Sequence, residues 1–171
     1  GDFSDFMKDN IPGISPELSV LIDKTAASVQ RGDATEEFAA QLGLLKGVTG
    51  YIFDTVPVAL HAWLGNQGDY RRGVIEIIRC GGDTDTAAAI AGAIIGARVG
   101  KKGIPGEWLN RLCEWPRSLS WMEKLGERLC EVQTNRQLQP AVPLLLPAVL
   151  LRNLFFMVVV LLHGFRRLLP P

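Results

Sequence analysis

Residues 79–98, Arg79-Cys-Gly-Gly-Asp-Thr-Asp-Thr-Ala-Ala-Ala-Ile-Ala-Gly-Ala-Ile-Ile-Gly-Ala-Arg98, constrain the fold more than any other part of the chain. Gly81 and Gly82 let the backbone turn sharply and come close to a ligand. Asp83, Thr84, Asp85 and Thr86 follow where a helix begins, a position that favours short polar side chains. Beyond them Ala88, Gly92, Gly96 and Gly100 recur every fourth residue. Such a stripe admits a neighbouring helix at short range, although each interior glycine costs roughly 1 kcal/mol of helix propensity. The helix is therefore expected deep in a bundle. Polar segments close to both ends argue against a membrane-type packing face.

Oxygen donors crowded in this way suit a hard divalent cation. The competing reading is a glycine turn followed by an ordinary aspartate N-cap. An EF-hand loop is excluded, because Ala87 and Ala88 stand where it needs an oxygen ligand and then glycine. Phosphate-loop and dinucleotide fingerprints are absent from the sequence.

The remaining pattern is helical. Ser15-Pro16-Glu17 combines an N-cap, a first-turn proline and an early acid, and starts a helix through about Gln30. Gly32 to Glu36 reads as a turn with a capping box into a helix ending near Lys46. Asp54 or Thr55 is expected to cap the next helix, with Pro57 in its first turn. A loop at Gly65–Asp69 precedes a helix from Tyr70 to about Cys80. Glu107 to Cys113 and Ser118 to Gln133 complete the set, with Trp108, Trp115 and Trp121 expected in the core or along a cleft wall. The fold class is all-α.

The 171 residues suit one domain or part of one. Lysine plus arginine and aspartate plus glutamate balance at 18 each, so no global field favours nucleic acid as a partner. Cys80, Cys113 and Cys130 form no CxxC pair and leave an odd one, which suits reduced thiols in a cytoplasmic setting. His61 lies in an apolar helical run and reads as a packed residue rather than a general base, and Asp54 as a cap rather than a catalyst.

Three segments, Gly50-Tyr-Ile-Phe-Asp-Thr-Val-Pro-Val-Ala-Leu-His-Ala-Trp-Leu64, GGDTDTAAAIAGA and Gly103-Ile-Pro-Gly-Glu-Trp-Leu109, together closely resemble the ADP-ribosylglycohydrolase family, over about residues 38–116. The resemblance implies a compact multi-helix bundle with two Mg²⁺ or Mn²⁺ ions at the base of an ADP-ribose cleft. It implies Asp83, Asp85 and Thr86 as metal ligands. Gly50, Tyr51 and Gly82 would lie beside the substrate, the glycines allowing close approach and the aromatic packing on a sugar or base. Tyr51 is also readable as a core aromatic.

The family's early GDxxG-type motif and its Thr/Ser-Asp-Asp segment have no counterpart here: Gly1-Asp2-Phe3-Ser4-Asp5 is not followed by the expected glycine and acid. The chain is therefore read as a C-terminal portion of the family's domain (residues 1–135) followed by a Pro/Leu-rich apolar tail (136–171). No catalytic acid or base is assigned. The implied activity is metal-dependent hydrolytic removal of ADP-ribose from modified proteins or related conjugates. The alternative is a non-catalytic binding or structural relative that lacks the first half-site. The tail carries only basic charge; membrane association through residues 144–165, as a span or an interfacial anchor, stands beside a buried C-terminal hairpin.

Overall fold

The computed structural model describes residues 3–168; Gly1 and Asp2, which open the Gly1-Asp2-Phe3-Ser4-Asp5 segment, lie outside the described residues. Two compact units divide the chain, Gly1–Gly106 and Glu107–Pro171. Among the described residues there are nine helices and no strand, only an isolated parallel bridge between Val48 and Gly82. The all-α expectation holds.

The first unit contains α1 (Phe3–Asn10), α2 (Pro16–Arg31), α3 (Thr35–Gln41), α4 (Ile52–Gly65), α5 (Tyr70–Arg79) and α6 (Thr84–Gly103). Helix α1 had no expectation in the sequence; the Ser4 hydroxyl donates to Asp23, and Lys8 pairs with Asp23 at 2.7 Å. Helix α2 begins as expected, with Ser15 Oγ accepting from the Leu18 N–H at 3.2 Å. Helix α3 ends well before Lys46. Gly43 takes φ 85°, and the Gly43 and Leu44 N–H groups return to Ala40 O (2.9 Å) and Ala39 O (3.0 Å). That Schellman closure stops the helix where the sequence offered only a glycine.

Helix α4 also starts earlier than expected. Its N-cap is Tyr51, and the Asp54 and Thr55 N–H groups both reach Tyr51 O at 2.9 Å. Pro57 consequently falls inside the helix, where it removes the donor that would reach Phe53 O. Helix α5 has Asp69 accepting from the Arg72 N–H at 2.9 Å.

The small-residue stripe on α6 meets α5. A Cβ on Gly92 would lie 3.0 Å from Tyr70 Oη, and one on Gly96 would lie 3.4 Å from Tyr70 Cε2. Ala88 packs on the core formed by Phe38, Val48, Val58, Ile77, Ala87 and Ala91 among others. Gly100 is not part of this face: it has open space around it and breaks the helix at φ 64° and ψ −177°.

Behind that core a polar chain fastens four helices. His61 is 2 % exposed, stacked on Phe38 at 4.6 Å between ring centroids. Its Nδ1 is 3.1 Å from Thr35 Oγ1 and its Nε2 is 3.2 Å from Ser28 Oγ. Thr35 donates to Glu76 at 2.7 Å and Ser28 donates to Asp33 at 2.7 Å. His61 is thus a packed, hydrogen-bonded residue, as expected.

The second unit contains α7 (Gly106–Asn110), α8 (Leu119–Asn135) and α9 (Leu146–Leu168). Helix α7 is shorter than the expected Glu107–Cys113 segment. Ser118 caps α8 by accepting from the Trp121 N–H at 3.3 Å. Trp121 Nε1 donates to Pro143 O at 3.1 Å. Trp115 is 55 % exposed and so is not a core residue. The tail is not a buried hairpin: α9 is one continuous helix in which only Ala148 is buried. It is the one helix among the described residues long and apolar enough to cross a membrane.

Burial holds the His61 imidazole below its ordinary pKa, with Glu76 and Asp33 opposing and Arg31 assisting. Below pH 6.5 the unfolded chain therefore takes up a proton that the folded chain resists, and stability falls with acidification. Asp33, held near 2 first by the Ser28 hydroxyl and then by Arg31 and Gln41, adds a separate loss below pH 3.8. Urea titrations between pH 7 and 5 should show falling stability. His61→Gln, less stable at neutral pH, should flatten that slope; an unchanged slope would contradict this assignment.

Candidate metal and sugar site

Two loops meet at the start of α6. The Val48 N–H donates to Gly81 O at 3.0 Å, and the Asp83 N–H donates to Val48 O at 2.7 Å. Gly81 and Gly82 adopt φ 71° and 77°, and Gly47 adopts φ 103°. These are left-handed values that glycine tolerates and other residues resist. Contact is closer still than the angles require. A Cβ on Gly82 would fall 2.1 Å from Val48 O, and one on Gly47 would fall 2.2 Å from Gly82 N. The backbones touch, and no side chain fits between them.

This zipper sets Asp83 as the N-cap of α6 with the Ala87 N–H reaching Asp83 O at 3.2 Å. The Asp83 side chain makes no capping bond to the helix. The ordinary N-cap reading therefore does not account for its carboxylate. The neighbouring Asp83 carboxyl is the main influence holding Asp85 below the usual carboxylate range; the backbone N–H groups of Thr86 and Asp85 contribute next. Asp85 and Thr86 are exposed and Asp83 is half-buried.

Gly50 faces the same carboxylate: a Cβ there would lie 3.0 Å from Asp83 Oδ2. Its loop is fastened by Thr49, whose hydroxyl donates to Asp54 at 2.5 Å and accepts the Tyr51 N–H at 3.1 Å. Thr55 Oγ1 donates to Thr49 O at 2.6 Å. Asp54 is thus bound to a loop hydroxyl and not to the helix start. Tyr51 is 61 % exposed, its ring 5.3 Å from that of Phe53, so it is not a core aromatic.

The structure therefore gathers Gly50, Gly82, Asp83 and Asp85, with Thr86 adjoining and Tyr51 at the rim. Thr49 and Gly47 are parts of this arrangement that the sequence reading missed. The available signal was a second glycine pair, Gly47 and Gly50, three residues apart. The donor chemistry fits a divalent cation: two carboxyl groups and a hydroxyl at one helix start are oxygen donors of the kind a hard cation takes. The set is also partial. Among the described residues no cluster of three Asp, Glu, His or Cys side chains arranged to hold a metal is found. A cleft of 460 Å³ bounded by Thr35, Glu36, Arg71, Arg72 and Arg79 contains none of these residues.

An all-α fold with this glycine–aspartate turn defines a class, and the chain belongs to the ADP-ribosylglycohydrolase family, whose profile matches residues 4–139. The matched segment is wider than 38–116, and within this chain it is N-terminal rather than C-terminal, with most of the tail lying beyond it. An uncharacterized protein of Archaeoglobus fulgidus is 28 % identical over 133 residues, covering 77 % of this chain and 40 % of its own length. The ADP-ribosyl-dinitrogen reductase glycohydrolase of Rhodospirillum rubrum is 36 % identical over 64 residues, 37 % of this chain and 21 % of its own. ADP-ribosylhydrolase ARH3 of Homo sapiens is 34 % identical over 108 residues, 57 % of this chain and 27 % of its own. The chain thus spans between 21 % and 40 % of the length of these relatives. No solved structure matches it significantly.

Two outcomes follow from the zipper. Gly82→Ala forces a Cβ into Val48 O at an unfavourable φ, and should destabilise the chain by about 3 kcal/mol in urea unfolding; a loss within error would contradict the backbone contact. Cys80, directly before the turn, has its thiol pushed up to about 11 by burial and then by Glu36 and Glu76. Native thiol titration should modify exposed Cys113 and Cys130 well before Cys80. Simultaneous modification of all three would show that the turn opens freely.

Proposed function

We propose that this chain carries the late metal-binding half-site of an ADP-ribosyl hydrolase. Residues 1–135 form the glycohydrolase part and residues 136–171 a tail. The observation that carries this reading is the convergence of Gly50, Gly82, Asp83 and Asp85 at one backbone contact. Asp83 and Asp85 are carboxylate ligands and Thr86 is a neutral oxygen ligand. When bound, a pair of Mg²⁺ or Mn²⁺ ions would supply Lewis acidity and a water acidic enough to react near neutral pH.

The chain's own residues hold the sugar. Bare backbone at Gly50 and Gly82 lets the ribose approach the carboxylates, and the exposed Tyr51 ring offers a face to sugar or base. The N-terminus of α6 opposes a cation, so two anionic ligands are placed there, while a nearby pyrophosphate is favoured. The reaction is hydrolysis of the bond from the ribose anomeric carbon to a protein nitrogen or oxygen, through an oxocarbenium-like transition state. None of these residues is assigned as general acid or base. Substrates are ADP-ribosylated proteins or related conjugates, in keeping with the names of the Rhodospirillum and human relatives. Nucleic acid is not a partner. Unpaired cysteines support a cytoplasmic location, and the apolar α9 supports membrane association through residues 144–165.

A second reading, a non-catalytic relative, is favoured by one observation: no three-residue metal cluster is formed among the described residues. The isolated chain should bind Mn²⁺ or Mg²⁺ weakly and show no turnover. In a full-length parent, Asp85→Asn should abolish metal-dependent release of ADP-ribose and leave the helical circular dichroism unchanged. A fully active Asp85→Asn parent would remove Asp85 from the chemistry, and an inactive wild-type parent would establish the non-catalytic reading.

A further inference from the structure

We propose that α9 lies in the plane of one anionic lipid leaflet instead of crossing the bilayer, an inference that rests on the membrane-associated reading of the tail. By length alone its 23 residues could cross. Three observations favour the other arrangement.

The first is how its polar residues are distributed. At about 100° per residue, Arg152, Asn153, His163, Arg166 and Arg167 all fall within about 140° of one face. Leu150, Leu154, Met157, Leu161, Phe165 and Leu168 form an unbroken stripe on the opposite face, and every one of them is at least 50 % exposed. Val149, Phe156, Val159 and Val160 share the polar face, so the division is carried by the second turn and the last two turns of α9. A helix floating at the headgroup boundary needs both faces.

The second is the depth of Arg152. Its Nη2 lies 2.7 Å from Glu114 Oε2, and its guanidinium sits 5.3 Å from the Phe156 ring centroid. Glu114 precedes α8, outside any apolar segment, so the pair holds the second turn of α9 level with an aqueous carboxylate. From Arg152 to Arg166 the helix rises only about 21 Å, against a hydrocarbon core of about 30 Å. A span would have to drag the ion pair into the apolar layer or leave Arg166 and Arg167 short of the far headgroups.

The third is the sign of the charge. From Leu146 to Leu168 the charged residues are Arg152, Arg166 and Arg167, with no acid. Glu114 neutralises Arg152, so the net charge of the helix is carried at its C-terminal end. That end matches an anionic surface.

The experiment uses the full chain with intact vesicles of phosphatidylcholine, with and without phosphatidylserine, and a membrane-impermeant maleimide mapped by peptide mass. The chain should co-float with the phosphatidylserine vesicles, and Arg166→Gln with Arg167→Gln should weaken this on the order of tenfold. Single cysteines at Val159, Val160 and His163 should then label from outside, while those at Val158 and Leu161 stay protected until detergent is added. Co-flotation with all five positions protected would overturn the in-plane arrangement in favour of a span and leave the membrane reading standing. Failure to co-float would sink the membrane reading itself. If periodic protection then persisted without vesicles, together with a doubled mass, the stripe would be covered by a second copy of the chain.

Discussion

The first unit depends on a backbone contact in which three glycines let two loops touch. Gly47, Gly81 and Gly82 supply left-handed angles, and the space between Val48 and Gly82 leaves no room for a Cβ. Two hydrogen bonds, Val48 N–H to Gly81 O and Asp83 N–H to Val48 O, close it. The same contact ties the loop before α4 to the start of α6. Val48 itself is buried with Phe38, Val58, Ile77 and Ala87, which couples the contact to the hydrophobic core.

From this follows the electrostatics of the site. Helix α6 must begin at Asp83, because Gly81 and Gly82 turn the chain there. The helix start then carries both Asp83, as N-cap, and Asp85, in the first turn. Neither carboxylate is buried, so neither carries a large desolvation penalty. Gly50 stands against Asp83 because Thr49, held by Asp54 and Tyr51, fixes the loop before α4. The polar chain through His61 plays a different part. It joins α2, α3, α4 and α5 through side-chain hydrogen bonds.

Much of this was readable in the residues. The all-α class, the Ser15, Asp69 and Ser118 helix starts and the packing of Gly92 and Gly96 against another helix all follow from local patterns. Cap chemistry and four-residue spacing act within one turn, so sequence shows them directly. The errors came where distant backbone decides. The end of α3 at Gln41 needed the Gly43 closure, and the start of α4 at Ile52 needed the Thr49 hydroxyl rather than an Asp54 cap. Gly100 continued the spacing of the stripe but not its role, because nothing packs there and its own φ breaks the helix. Gly50 and Asp83 are thirty-three residues apart, and only the Val48–Gly82 contact reveals them as neighbours. That the tail forms a single helix was not legible in the sequence, which left a buried hairpin open; Glu114, far away in sequence, pairs with Arg152.

We propose that this contact gathers one cation-binding spot from two separated loops. Paramagnetic broadening of backbone amide resonances by substoichiometric Mn²⁺ tests it most directly, because the effect reports distance from the ion. The account predicts selective loss of the Gly50 and Gly82–Thr86 signals at the lowest additions, with Mg²⁺ restoring them. Broadening centred instead on the Asp33, Glu36 and Glu76 region, or spread evenly over the exposed acids, would contradict it.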